Sequence, residues 1–377
     1  MNDLGSYRQP TFHSYPLHSP RFWHGMRFGH WMRLALRNRL MIHPLRIPMA
    51  VAVSLCTPGN SLISLIEHGL YGRRIEETEV AEPPVFILGH WRSGTTMLHE
   101  MMVQDERYSY PTTYQCFCPN HYLLTEWFFV RFCGFLLPKQ RPMDNMAAGW
   151  KLPQEDEFAL MNMGAATPYD RMAFPNRECV DFDFLNTDIV DKGKLEHWKK
   201  CLEYFVKKQT FHSGGKRIIL KSPPHTGRIG VLAEMFPGAR FIHISRHPFS
   251  IFASTIRLWQ SLDFIQGFQI PRHKGLDEFV LKSLETMYDG YNRQVEEVPA
   301  EHVAHVKYED LVAEPLAEFQ RVYEELGLGD FATIEPKLTK YHSDRRNYKT
   351  NRNDLLPEDA ETVRDRWAFY FEQFGYE

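Results

Sequence analysis

The chain has 377 residues, 43% of them hydrophobic and 24% charged, with a formal net charge of −3. That length suits one large domain plus an extension, and the balance is that of a chain that buries a core. The near-neutral charge excludes a general nucleic-acid binder, and six scattered cysteines exclude a disulfide scaffold and point to a reduced, cytoplasmic protein.

Charge is unevenly spread, with seven arginines and a single acid, Asp3, in residues 1–50. Residues 1–20, rich in Pro, His and Ser, read as extended. Residues 21–75 read as helical. Arginines at 21, 27, 33, 37 and 39 alternate with Phe22, Trp23, Met26, Phe28, Trp31, Met32 and Leu36. The apolar positions form no single clean stripe, so this arm is expected to pack on the main domain with its arginines in water. Peripheral membrane contact through residues 21–50 is the second reading. No uninterrupted apolar run reaches the roughly 18–20 residues of a bilayer span. The longest are Ile47–Cys56, broken by Pro48, and Trp127–Leu137, broken by Arg131. The aromatic run 127–137 reads as core, with an acceptor pocket or a membrane contact as its alternatives.

From Pro83 onward, short apolar runs alternate with helical patterns. Strands are expected at 85–88, 217–220, 240–245 and 303–308, and helices at 95–104, 225–236, 248–260, 311–326 and 357–374. Strands separated by helices predict an α/β fold, a parallel sheet flanked by helices. Ligands in such folds sit at the carboxyl ends of the strands. Residues 1–80 are therefore taken as a basic, largely helical extension and 83–377 as the main domain.

The first strand runs into Gly89-His90-Trp91-Arg92-Ser93-Gly94-Thr95-Thr96 and then a helix. A glycine-bearing loop opening a helix makes an anion site of backbone N–H groups. The spacing fits a P-loop except that Thr95 stands where lysine would grip the β- and γ-phosphates of a nucleoside triphosphate. Lys221 and Ser222 end the strand at 217–220, with Pro223, Pro224 and His225 following. Arg246 follows the strand at 240–245. Ser250 and Ser254 then share one face of the helix opened by Pro248. Tyr308 ends the strand at 303–308, before Glu309 and Asp310. A cation or aromatic at each strand end, with no metal-holding aspartate, suits a metal-free anionic ligand.

The run Gly89–Thr96 resembles the 5′-phosphosulfate loop of the sulfotransferases that use 3′-phosphoadenosine 5′-phosphosulfate (PAPS), in the arginine form of the tyrosylprotein and bacterial carbohydrate or lipid branches. The resemblance covers about residues 83–377 and implies a P-loop NTPase-like sulfotransferase core. It implies that Gly89, Arg92, Ser93, Gly94, Thr95 and Thr96 hold the phosphosulfate end of PAPS, that Arg246 and Ser254 hold the 3′-phosphate, and that Tyr308 contacts the adenine. Arg92 is then assigned to the bridging oxygen and Lys221 to the sulfuryl oxygens, with Ser222 and His225 in the same motif. Residues Lys349, Thr350 and Arg352 resemble the segment that closes over the nucleotide. The reaction implied is sulfuryl transfer to a hydroxyl or amine of a small-molecule, carbohydrate or lipid acceptor.

The acceptor proton needs a base. The glutamate that the tyrosylprotein branch carries after the loop is replaced here by Pro111-Thr112-Thr113-Tyr114. Glu155 or Glu157, at an expected helix start after Pro153, is the candidate, with His90, His99 and His121 as rivals. Cys116-x-Cys118 with His121 is spaced too closely for a zinc knuckle, and no metal is expected. A small-molecule kinase and a non-catalytic nucleotide-binding protein on a membrane surface are the alternative readings.

Overall fold

Val85-Phe86-Ile87-Leu88 is apolar at every position because it is buried on both faces, as parallel strands covered by helices require. In the computed structural model, which describes residues 7, 12, 15–16, 18–138, 140–141, 146–344 and 355–377, this strand is β1 (Val85–Leu88). It lies at the centre of a five-stranded sheet with β2 (Tyr108–Ser109), β3 (Arg217–Lys221), β4 (Arg240–Ser245) and β5 (Val303–Lys307). The order is β2-β3-β1-β4-β5. Every pairing is parallel, with Phe86 level with Leu220 on one side and Phe241 on the other. Side chains alternate between two cores. Phe86, Leu88, Leu220 and Phe241 face one, and Val85, Ile87, Ile219 and Ile242 the other. The chain leaves β1 for β2 and β3 on one side and then crosses to β4 on the other, so the switch point falls at the end of β1.

The helices follow in chain order. The arm forms α1 (Phe28–Arg37) and α2 (Ile47–Glu76). After β1 come α3 (Thr95–Met102), α4 (Thr113–Phe117), α5 (Tyr122–Phe132), α6 (Asp156–Met163) and α7 (Lys192–Ser213). Then come α8 (Ile229–Met235), α9 (Pro248–Gln266) and α10 (Leu276–Gln294), followed by α11 (Tyr308–Ala313), α12 (Pro315–Leu326), α13 (Glu335–Asp344), α14 (Pro357–Arg366) and α15 (Ala368–Phe374). Local signals set several ends. Asp191 caps α7 through the amides of Gly193 and Lys194, and Gly214 closes that helix in the left-handed region. The helix expected over 311–326 is two, because Pro315 has no N–H to continue the first.

The arm packs into the domain. Phe22 stacks on Phe158 with centroids 3.7 Å apart, and the Trp23 indole donates to the Gln266 carbonyl at 2.6 Å. Trp23 and Trp31 are buried in the same core as the sheet. The arginines are not all in water. Arg21 is buried and donates to the Ile265 carbonyl at 2.9 Å, and Arg37 bridges Asp170 and Asp181 at 2.9 and 2.7 Å. The aromatic run 127–137 is only in part core, with Phe129, Val130, Leu136 and Leu137 packed against it. Trp127, Phe128, Phe132 and Phe135 are exposed.

Candidate active site

The loop after β1 turns on two glycines in the left-handed half of φ space, Gly89 at +137° and Gly94 at +108°. A side chain at Gly94 would put its Cβ 2.4 Å from the Tyr308 ring, and one at Gly89 would reach 2.5 Å from the Ile244 carbonyl oxygen. Only glycine lets the loop lie this close to β4 and to the residue after β5. Ser93 Oγ donates to the His90 carbonyl at 2.8 Å, and the Gly89 amide donates to Thr226 Oγ1 at 2.8 Å. The loop is thus shaped from both sides before any ligand arrives.

Residues far apart in sequence meet over it. Arg92 Nε donates to Ser254 Oγ at 2.8 Å. Arg246 Nη1 donates to the Arg92 carbonyl at 3.0 Å, and its guanidinium lies 4.2 Å from the centroid of the Tyr308 ring. Arg92, Gly94, Thr95, Thr96, Arg246, Ser250, Ser254 and Tyr308 all line one cleft of about 500 Å³. Gly89 and Ser93 lie beneath it as the loop's scaffold. The cations that the sequence scattered over more than 150 residues therefore converge on the strand ends, where the N-terminus of α3 adds its partial positive charge.

Beside this anion cradle, Lys221 Nζ donates to Glu155 Oε1 at 2.7 Å. Tyr169 donates to Glu155 Oε2 at 2.5 Å and accepts from the Trp91 indole at 2.8 Å. Burial, and next the Glu155 charge, push the Tyr169 phenol well above its ordinary range, so it stays a donor. Trp91, Glu155 and Tyr169 line the cleft. Nothing in the sequence around Tyr169 marks it, and it is the residue that sequence reasoning missed.

Glu155, Asp156 and Glu157 open α6 and point three ways. Only Glu155 reaches the cleft. Asp156 is fully buried, accepting from Ser222 Oγ at 2.9 Å and facing His225 Nε2 at 2.6 Å. Burial alone would raise its carboxyl, but the His225 charge and hydrogen bond hold it below the usual range. This knot fixes the strand end that carries Lys221. Glu157 is fully buried too, gripped by Arg228 through both oxygens at 2.7 and 2.9 Å and by Thr167. Two of the proposed catalytic residues are therefore corrected. Glu157 is a buried ion-pair partner and His225 a buried strut, and neither touches the cleft.

The rival histidines fail for a related reason. Burial pushes His90 and His99 down to about 3 and His121 down to about 4, which makes them weak bases, and none lines the cleft. Lys349, Thr350 and Arg352 lie outside the described residues.

Past Glu155 the cleft turns apolar, walled by Phe117, Leu137, Met146, Leu152, Phe158 and Leu258. The lining thus combines a charged cradle with apolar walls and carries a carboxylate and a phenol, Glu155 and Tyr169; Lys221 is buried behind Glu155 and does not itself line the cleft.

The comparisons with known proteins agree with this geometry. The model of the Sulfotransferase family matches residues 83–332. The omega-hydroxy-beta-dihydromenaquinone-9 sulfotransferase Stf3 of Mycobacterium bovis is 41% identical over 355 residues, which are 94% of this chain and 91% of that protein, and the Mycobacterium tuberculosis counterpart gives the same figures. Among solved structures, sulfotransferase STF9 of Mycobacterium avium superposes with a TM-score of 0.61 at 18% identity, covering 94% of this chain and 97% of that one. STF1 of Mycobacterium tuberculosis H37Rv gives 0.62 at 17%, covering 91% and 92%. These two share the fold. With a family match along most of its length and such identity to a curated relative, the chain belongs to the sulfotransferase family and is a sulfotransferase.

Proposed function

We propose that the protein moves the sulfuryl group of PAPS to the hydroxyl of a long, apolar, lipid-like acceptor. The observation that carries this is the single cleft that joins the Arg92–Ser254–Arg246–Tyr308 cradle to apolar walls past Glu155, which Lys221 holds from beneath. The name of the Mycobacterium bovis relative, whose acceptor is a hydroxylated menaquinone derivative, supports a lipid class of acceptor.

The chemistry is an in-line displacement. The acceptor oxygen bonds to sulfur as the bond from sulfur to the bridging phosphate oxygen breaks. The acceptor proton passes to Glu155, and the electron pair stays on the 5′-phosphate of the departing nucleotide. Loop N–H groups and Arg92 face that growing charge, and Lys221 faces the sulfuryl oxygens. A carboxylate has about four lone-pair sites, so Glu155 can accept from Lys221, Tyr169 and an acceptor hydroxyl together. Arg246 and Ser254 are suited to the 3′-phosphate and Tyr308 to the base. A lipid acceptor implies work at a membrane surface, and all six cysteines being free suits the cytoplasmic side.

The test has two arms. Thermal unfolding with 3′-phosphoadenosine 5′-phosphate should shift upward, by the equivalent of about 2.7 kcal/mol at a hundredfold excess over Kd. ATP with Mg²⁺ should give no shift, and the reverse pattern would favour a kinase. Labelled PAPS incubated with cell extract split into lipid and aqueous fractions should label the lipid fraction. Label in the aqueous fraction alone would refute the lipid acceptor.

A further inference from the structure

Helix α2 is inside out. Its polar side chains face the protein: Ser54 Oγ accepts from the Trp31 indole at 2.9 Å, Asn60 Nδ2 donates to the carbonyls of His24 and Met26 at 2.6 and 2.9 Å, and Ser61 Oγ accepts from the Phe28 amide at 2.9 Å. Thr57 and Ser64 are buried, and so is Glu67, which pairs with Lys208 of α7. The leucines face outward instead. Leu55 is 76% exposed, Leu62 61% and Leu65 70%, with Ile47, Val51, Ile66 and Leu70 beside them. A water-facing helix has the opposite polarity. From Ile47 to Ile66 the helix carries no charged residue, a stretch of about 30 Å at 1.5 Å per residue.

Helix α5 packs beside α2, and the Leu124 amide donates to the same Glu67 at 3.1 Å. It adds exposed Trp127, Phe128 and Phe132, followed by Phe135. Two residues further on, Leu137 and Pro138 line the apolar end of the cleft. The exposed face and the acceptor pocket are thus continuous along the chain. Arg33 and Arg39 at one end of the face, Arg131 within it and Arg74 at the other end are exposed.

We infer that this α2–α5 face is a membrane-docking surface that lies in the lipid headgroup and acyl boundary and admits a bilayer-resident acceptor to the cleft beside Leu137. The inference rests on the lipid-acceptor reading above and moves the expected contact from residues 21–50 to residues 47–70 and 127–135. A transient protein partner is the weaker fit, because non-obligate interfaces between proteins are little more apolar than ordinary surface, whereas this face has no charge over 20 residues of α2. Tryptophan at the rim and arginines at the fringe are suited to headgroups, above all anionic ones. By length and composition, Pro44–Glu76 would suffice to cross a bilayer. The inward polar contacts and the Glu67–Lys208 pair hold it flat on the domain instead, since crossing would strip them of partners in hydrocarbon.

The test is flotation of the full chain with vesicles of phosphatidylcholine, with and without phosphatidylglycerol. The wild type should float, more strongly with the anionic lipid, and come off in alkaline carbonate. The double variant Leu55→Glu/Leu62→Glu and the single variant Phe132→Glu should each lower partitioning about tenfold or more, given what a buried leucine or phenylalanine contributes. Their circular dichroism and their sulfation of a short, water-soluble acceptor alcohol should match the wild type. Variants that float as well as the wild type would overturn the proposal. So would carbonate resistance, which marks a spanning helix, and so would a wild type that ignores vesicles and sediments as a dimer that these variants split. If flotation behaves as stated but no lipid is ever sulfated, the docking surface stands and the acceptor reading fails.

Discussion

The sharpest test of the site is Glu155→Gln. The amide keeps the carboxylate's shape, so its oxygen still accepts from Lys221 Nζ at 2.7 Å and its nitrogen faces the Tyr169 hydroxyl, which can turn to accept. The change removes the charge from both bonds and leaves the buried Lys221 amine without its counter-ion, so stability should also fall, by up to about 3–5 kcal/mol. What the variant loses entirely is the group that takes the acceptor proton. A positioned general base contributes ~10²–10⁴ in rate, about 2.7–5.4 kcal/mol at 1.36 kcal/mol per tenfold. Turnover at saturating PAPS, read as label extracted into an organic phase, should fall by that factor while the thermal shift with 3′-phosphoadenosine 5′-phosphate is unchanged. Glu157→Gln is the control two residues away. It breaks a pair with Arg228 that has no solvent exposure, so stability should fall by about 3–5 kcal/mol while the molecules that remain folded turn over normally. Turnover of Glu155→Gln within about threefold of wild type would refute the base assignment, because it leaves less than 1 kcal/mol for the proton transfer.

Other outcomes follow from the same geometry. Arg92→Ala removes a cation bonded to Ser254 and should lower kcat by ~10²–10³, the size of one preorganised donor; near-normal kcat would reject its role at the leaving oxygen. Gly94→Ala forces a Cβ to within 2.4 Å of the Tyr308 ring at a φ of +108°, so the thermal shift with the nucleotide product should vanish, and a retained shift would show that the loop is not the cradle. Acid should destabilise the fold in a definite window. Burial holds His90 and His99 down to about 3 and His121 down to about 4, while the unfolded chain takes up protons near 6.5. The unfolded state therefore binds more protons below that pH, and stability is lost as pH falls from 6.5 toward 4, at no more than about 4 kcal/mol per pH unit for the three together. Chemical denaturation midpoints that stay level from about pH 7 to pH 5 would contradict this.

β1 was legible because full burial makes its run apolar at every position, β3, β4 and β5 because each holds a short apolar run, and the phosphate loop because its two glycines and its place between strand and helix are local; the two-residue β2 carries no such signal and was not foreseen. Convergence of Arg92, Arg246, Ser254 and Tyr308 followed from placing Arg246 and Tyr308 at strand ends, Arg92 in the loop after a strand and Ser254 on the helix that Arg246 precedes. Other features were not local. Glu155, Asp156 and Glu157 begin a helix, where successive residues point about 100° apart. Their partners Lys221, His225 and Arg228 lie some 70 residues away. Adjacent acids of the same type thus received one place in the cleft wall and two buried structural tasks, and nothing in the run itself tells them apart. Tyr169 is fixed only by tertiary contacts with Trp91 and Glu155. The polarity of α2 was hidden for another reason: the run Ile47–Cys56 was weighed only for its length, whereas the helix's serines and asparagine are its inner face and the leucines its outer one.

The position of β1 has a consequence for how the chain acquires this shape. Its neighbours on either side, β3 and β4, pair Val85 with Ile219 and with Arg240, so neither exists when the ribosome has just finished β1. At about 5–20 residues per second, the strand that carries the catalytic loop waits on the order of 10–30 s for both partners. Throughout that interval a bare hydrophobic β-segment sits next to an inverted, leucine-faced helix already made upstream. Early capture by a chaperone or by the bilayer itself would shield both, and a slow, aggregation-prone refolding phase is the expected signature when neither is present.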